Sequence, residues 1–358
     1  MHRKKFLDLL ITGSLLSFTG TLIPGLRQET SNDNTPAISK YLFVAGERSL
    51  GGIKVLDIDD GHTPVDEIDY GGGDAKGITA SAATGMLYLS SHWQDEVVCW
   101  NLTASKVEWR RSYGRYADRL SVTPDGELLY IPLRQDGEWV VSDASDGTEI
   151  TRIQTPGRPH NTLAARGSNH IYLSALDNPF LYQVDRESQN IVKVIGPFSS
   201  GLRPFTVNAD ETLAFVNVDG LLGFEIGDIK SGRRLVQIGV GNYPEPEESY
   251  HNTPSHGIGL RPDGKEIWCV NAGGYLHVFD LTKSPIRQTH DIKVNGDPGW
   301  ITFSIDGAYA YSATGDVIDT RKKEIVARIP PSEKMIEIDF RDGQVVRVGS
   351  QVGITRKV

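Results

Sequence analysis

Short runs rich in Val, Ile, Leu and Tyr recur along the whole chain, each introduced by a tight polar turn. The phrases are AATGMLYLSS (82–91), TPDGELLYIPL (123–133), ARGSNHIYLS (165–174), NADETLAFVNV (208–218), RPDGKEIWCVN (261–271), SIDGAYAYSA (304–313) and FRDGQVVRVGS (340–350). With the turn Gly as marker, and Glu211 standing in for it once, the positions are 85, 126, 167, 211, 264, 307 and 343. They lie 41, 41, 44, 53, 43 and 36 residues apart. Strand-forming runs on either side of Asp-Gly predict hairpins. The unit at 119–155 shows four of them in succession: RLSVTP (119–124), ELLYIPL (127–133), EWVVSDA (138–144) and EITRIQT (149–155). Four short strands repeating every 40–45 residues or so form a β-propeller blade.

Six full units run from 75 to about 334. The segment 41–70 adds three strands (YLFVAGE, GIKVLDID, VDEIDY) but lacks an innermost one, and MIEIDF (335–340) supplies it. The expected fold is therefore all-β: a seven-bladed β-propeller of four-stranded antiparallel blades, its ring closed by N- and C-terminal strands so that no sheet edge stays open. The stretch QVVRVGSQV (344–352) competes with YLFVAGE for one place in the closing blade. Sequence leaves that choice open, together with a partial eighth blade.

The repeat resembles that of the YVTN-type, or YncE-like, seven-bladed propellers. It pairs a Pro-Asp-Gly hairpin with a third strand ending in Asp and a fourth of the form Val-x-x-Ile. TPDGELLYIPL, RPDGKEIWCVN, YLHVFDLT and VIDTRKKEIVARI carry the likeness, which extends over about 38–350. The resemblance implies the fold and leaves function open, because this scaffold hosts binders, lactonases, lyases and redox proteins.

Outside the repeat, residues 1–26 read as a secretory signal peptide: a basic start (Arg3, Lys4, Lys5), then the apolar run 9–23, which is short for a membrane span. An uncleaved N-terminal anchor is the alternative. Residues 27–37 read as a disordered linker, and 38–358 as the propeller domain. The mature protein is expected to be periplasmic or secreted and monomeric, with no transmembrane span. A net charge of −9, with no basic run beyond the N-terminus, argues against nucleic acid as a partner. Cys99 and Cys269 fall in distant units and are expected to be buried thiols rather than a disulfide.

The repeat also serves as a ruler. Loops leading into innermost strands open on one face around the channel. Seven to nine residues before the markers stand Lys76, Asp118, Arg119, Arg158, His160, Arg203, His256 and Trp300. Loops between second and third strands add His92, Arg134, Asp177, Asp219 and Asn271 on the same face. The longest interval holds an insertion, GNYPEPEESYHNTPSHG (241–257), with His251 and His256. Long loops in compact domains are commonly functional.

Two chemistries fit. In one, His160, His251 and His256 bind a divalent metal and leave a position open for substrate. In the other, Lys76, Arg119, Arg158 and Arg203 grip a carboxylate or phosphate while a histidine acts as base or acid. The plainer alternative is that these side chains cap strand ends around a water-filled channel. The candidate catalytic residues are His160, His256, Arg203 and Arg119. The candidate ligand-binding residues are Lys76, Asp118, Arg158, His92 and Trp300, the last either as a stacking surface for a sugar or other flat ligand or as a packing residue. The other tryptophans (Trp93, Trp100, Trp109, Trp139, Trp268) are expected to pack between blades, His170 and His277 to be structural, and His62 and His290 to lie in loops.

The expected function is binding of a small, anionic ligand such as a carbohydrate acid, or of a protein partner at 241–254. The alternative is a lactonase-like enzyme or a metal-dependent sugar-acid lyase. No GxSxG elbow, P-loop, Rossmann glycine motif, haem-attachment motif or EF-hand loop appears in the sequence.

Overall fold

The computed structural model describes residues 37–46, 52–243 and 253–351. The expected signal peptide lies outside them, as does nearly all of the linker and most of the insertion, including His251. Strands form seven antiparallel sheets: six of four strands (77–111, 121–154, 158–195, 202–239, 258–293 and 301–328, here blades 1 to 6) and a closing blade 7. The turns that mark the repeat need a left-handed backbone residue. Gly126 sits at φ 77° and Gly264 at φ 70°, and Glu211 takes the same conformation at φ 51°.

The blades stack face to face through successive apolar layers. One layer joins Phe43, Val55, Ile336 and Ile338 of blade 7 to Ile78, Leu87 and Val98 of blade 1. Another joins Tyr88 and Cys99 to Leu129, Ile131 and Val140. Cys99 and Cys269 are buried free thiols in different layers.

Blade 7 settles the competition left by the sequence. Ser39–Ala45 pairs on one side with Ile53–Asp57 and on the other with Met335–Arg341. Gln344–Val348 then pairs with the remaining edge of Met335–Arg341, giving a sheet of five strands. The N-terminal strand wins the second place because a local hairpin continues it into the rest of the blade. The C-terminal strand, with Gln344 and Arg347 among its five residues, is left the inner edge, where it enters the channel. Arg166 donates to the carbonyls of Val348 and Gly349, and Trp300 Nε1 donates to the carbonyl of Gln351 at 2.9 Å.

Candidate functional site

Each blade delivers its chain to the channel at the start of its innermost strand. Lys76 precedes Gly77–Ser81, Asp118 and Arg119 precede Ser121–Val122, and His160 lies in Arg158–Ala164. Arg203 lies in Leu202–Val207, and His256, Trp300 and the pair Glu333/Lys334 precede the innermost strands of blades 5, 6 and 7. Two of the upstream positions hold glycine for a steric reason. A Cβ on Gly77 would fall 2.9 Å from Arg119 Cα, and one on Gly257 would fall 2.8 Å from the Gly299 carbonyl oxygen. Small residues here let neighbouring blades close on the polar ones.

The centre of the site is a buried Asp-His pair. Asp118 Oδ2 lies 2.7 Å from His160 Nδ1, and both side chains are almost wholly inaccessible. Burial alone would raise the Asp118 pKa, but His160, Lys76 and Arg119 outweigh it and hold the carboxyl well below its usual range. Burial is also the main influence on His160; aided by Arg119 and Lys76 and opposed by Asp118, it lowers that pKa to about 4. The imidazole is therefore neutral at pH 7. Its proton sits on Nδ1, donated to an ionised carboxylate, and Nε2 keeps its lone pair. That nitrogen is buried and has no hydrogen-bond partner among the described residues.

Arg119 lies beside the pair. Its Nη2 donates to Glu333 Oε2 at 2.7 Å, and its guanidinium stacks 3.7 Å over the Trp300 ring centroid. Its Nε and Nη1 are buried without partners among the described residues. Glu333 would be raised by burial, but Arg119, Lys334, Lys76 and His256 hold it low. His256 packs edge-on to Trp300 at 6.3 Å, and burial, with the charges of Arg119 and Arg203, lowers its pKa to about 3 despite Glu333. Burial also lowers the Lys76 pKa, as do Arg119 and Lys334, against Asp118 and Glu333. Lys76 makes no ion pair among the described residues. The result is a compact group of three cations, two carboxylates and two neutral imidazoles.

Other expected site residues stand apart from this centre. Arg203 Nε pairs with Asp219 Oδ1 at 2.5 Å, and Thr253 Oγ1 donates to the same oxygen. Arg158 is half exposed at the rim and pairs with Asp177 Oδ2 at 2.6 Å. These arginines are thus matched by aspartates of the loop one hairpin further on. His92 stacks on Tyr116 at 4.4 Å, and burial together with Lys76 lowers its pKa. The Trp300 ring is buried and covered by Arg119, whereas Trp93, expected in packing, is 58% exposed and donates to Asp74 Oδ2 at 2.9 Å. The exposed aromatic at this rim is Trp93.

Sequence reasoning missed Glu333, Lys334 and Gln351. The same ruler laid back from Gly343 reaches Met335 and then Lys334, so one of the three was within its reach and Glu333 stands one residue beyond it. Gln351 had no such signal, because it lies past the last repeat. It donates through Nε2 to the Glu333 carbonyl at 2.7 Å and so closes the floor of the site.

Among the remaining histidines, His277 is buried between Asp291 and Asn271, and His170 bonds Glu211. His62 is a turn residue buried against the Tyr311 hydroxyl at 3.1 Å. His290 belongs to the strand Arg287–Lys293 and not to a loop. No group of three or more His, Cys, Asp and Glu among the described residues is placed to hold a metal ion.

No protein-family model and no curated protein sequence matches the chain. Solved structures do. Hydrazine synthase from Kuenenia stuttgartiensis superposes with a TM-score of 0.65 at 16% identity, covering 84% of this chain and 99% of that one. The dihydro-heme d1 dehydrogenase NirN in complex with DHE gives 0.62 at 17% identity over 86% of this chain and 73% of its own. The WD40 repeats of RRP9 give 0.63 at 11% identity over 76% and 83%. At such identities the likeness is one of fold, and the fold of this chain is that of a seven-bladed β-propeller.

Proposed function

We propose that this protein binds a small oxyanion bearing hydroxyl groups, of the carbohydrate-acid type, at the channel mouth around His160. One observation carries the reading: among the described residues, a buried, Asp118-held imidazole keeps an unpartnered Nε2 beside a lysine without an ion pair and two unpartnered nitrogens of Arg119. Lys76 and Arg119 would receive the anionic group. His160 Nε2 would accept a hydrogen bond from a ligand hydroxyl. Arg203 and Arg158, already matched to aspartates, would shape the rim rather than grip the ligand. Export of the mature chain and the likeness of its repeats to YVTN-type propellers belong to the same reading.

A second reading rests on the same imidazole. A neutral histidine whose tautomer is fixed by an ionised aspartate is a general base. Its Nε2 could take a proton from water attacking a lactone carbonyl, which opens the ring to a hydroxy acid. Lactone hydrolysis is measured by proton release.

The test of binding is a thermal-shift panel of uronates, aldonolactones and sugar phosphates against wild type, Lys76→Met and His160→Asn. At least one class should stabilise the wild type, and both variants should lose that shift. A panel that stabilises neither wild type nor variant, or stabilises all three alike, contradicts the reading.

A further inference from the structure

Outside the His160 centre, the channel mouth carries a row of stacked rings between blades 1 and 2. Trp93 and His92 come from the loop between the second and third strands of blade 1, and Tyr116 from the approach to the innermost strand of blade 2. The His92 ring lies 4.6 Å from Trp93 and 4.4 Å from Tyr116, and the Arg134 guanidinium covers Tyr116 at 5.1 Å.

The row is firmly held. Trp93 Nε1 donates to Asp74 Oδ2 at 2.9 Å, and Arg134 Nη1 donates to the Tyr116 hydroxyl at 3.3 Å. Tyr116 takes a left-handed backbone at φ 63°, with its N–H donated to Asp95 Oδ1 at 2.6 Å. That conformation is costly for a bulky residue and clusters at ligand sites. The row ends in Trp93, whose indole is fixed in orientation yet more than half exposed.

The row also leads inward. His92 lies close enough to Lys76 and Asp118 for both charges to act on its imidazole. Trp93 therefore stands one ring beyond a cation assigned to the anionic group. Its own surroundings have the opposite charge: Asp74 holds the indole nitrogen, and Asp95 lies in the same loop. Asp74 Oδ1 and His92 Nδ1 are buried with no hydrogen-bond partner among the described residues. Buried polar atoms call for a partner. A neutral pyranose meets these conditions. Its C–H face stacks on an indole, its hydroxyls donate to a carboxylate, and it brings no second negative charge.

We propose that Trp93 is a second subsite, for a neutral sugar linked to the sugar acid at Lys76 and Arg119. The ligand is then a glycoside of at least two residues, its acidic end inward and its neutral end on the rim. This assignment rests on the anion-binding reading of the His160 centre and specifies the size and polarity of that ligand.

The probes are two single-residue acids, gluconate and glucuronate, and their two-residue counterparts. These are lactobionate, in which galactose is linked to gluconate, and an aldobiouronate, in which glucuronate is linked to a neutral sugar. Each is titrated calorimetrically into the wild type, Trp93→Ala, Trp93→Phe and Lys76→Met, with circular dichroism to establish that each variant is folded. In the wild type at least one two-residue acid should bind about tenfold more tightly than its single-residue counterpart, the value of one aromatic stacking contact. Trp93→Ala should abolish that gain, and Trp93→Phe should keep part of it, because a phenyl ring still stacks. Lys76→Met should weaken every acid that binds. A gain that survives Trp93→Ala overturns the second subsite, as does the lack of any gain in the wild type; if the single-residue acids bind, the reading of the His160 centre still stands. Two-residue acids untouched by Lys76→Met would place the acidic end elsewhere and overturn the proposal. Failure of all four acids to bind the wild type overturns both readings.

Discussion

Asp118→Asn isolates the interaction on which the site is built. The substitution keeps the shape of the side chain and removes its charge. In the wild type the carboxylate accepts the His160 Nδ1 proton at 2.7 Å with no solvent to screen it. A hydrogen bond to a charged group of this kind is worth about 1.5–3 kcal/mol. Asp118 is also a buried counter-charge for Lys76 and Arg119, which would lose its support. Unfolding in urea, analysed as a double-mutant cycle with His160→Gln, should give a coupling of about 2 kcal/mol between the two residues. The pH dependence has a fixed sign. The folded Asp118 pKa is depressed, so its stabilisation is complete above the unfolded value near 4 and is lost as pH falls towards the lower folded value. His160 and His256 are depressed to about 4 and about 3, so each costs stability as pH falls below about 6.5. A coupling indistinguishable from zero at pH 7 would refute the assignment of Asp118 as the group that orients His160.

Three further outcomes follow from other parts of the molecule. Glu337 and Asp339 are buried together in the closing strand; burial first, and then the Asp339 charge, raises the Glu337 pKa well above the ordinary value. A raised carboxyl binds protons in the folded state, so stability should decline as pH rises above about 4.3, and Glu337→Gln should flatten that decline in melting curves from pH 5 to 9 or so; an unchanged slope counts against the pair. Elemental analysis should find metal well below one equivalent, whereas a full equivalent lost in His160→Ala would support a His160, His251 and His256 centre instead. Mass spectrometry of the exported protein should find residues 1–26 removed, and a mature chain beginning at Met1 contradicts export by a cleaved signal.

The fold was legible because its punctuation is dictated by backbone sterics. A tight hairpin needs a left-handed residue, Gly meets that need most easily, and the turn therefore shows in the sequence at almost every blade. The place of the fifth strand of blade 7 was not legible, since Gln344–Val348 and Ser39–Ala45 both read as strands fit to pair beside Met335–Arg341. Only chain connectivity, with the N-terminal strand continuing into a local hairpin, decides between them. Ring positions were readable from the repeat, which brought Lys76, Asp118, Arg119, His160 and His256 to one place. Pairing was not. That Asp219 takes Arg203 and Asp177 takes Arg158 depends on side-chain reach across a hairpin, which spacing does not reveal. The exposure of Trp93, and the choice of packing over ligand stacking for Trp300, escaped the ruler for a related reason. Burial of Trp300 is set by Arg119 above it and by the inserted C-terminal segment, which follows no repeat.

The central claim is that a neutral, Asp118-held His160 offers Nε2 to an anionic ligand. Nitrogen NMR of the His160 side chain, recorded while uronates and sugar phosphates are added, tests it most directly. The account predicts the Nδ1-protonated tautomer at pH 7 and an Nε2 resonance that moves saturably with at least one of these anions in wild type but not in Lys76→Met. An Nε2-protonated tautomer, or a resonance unmoved by every anion, would contradict it.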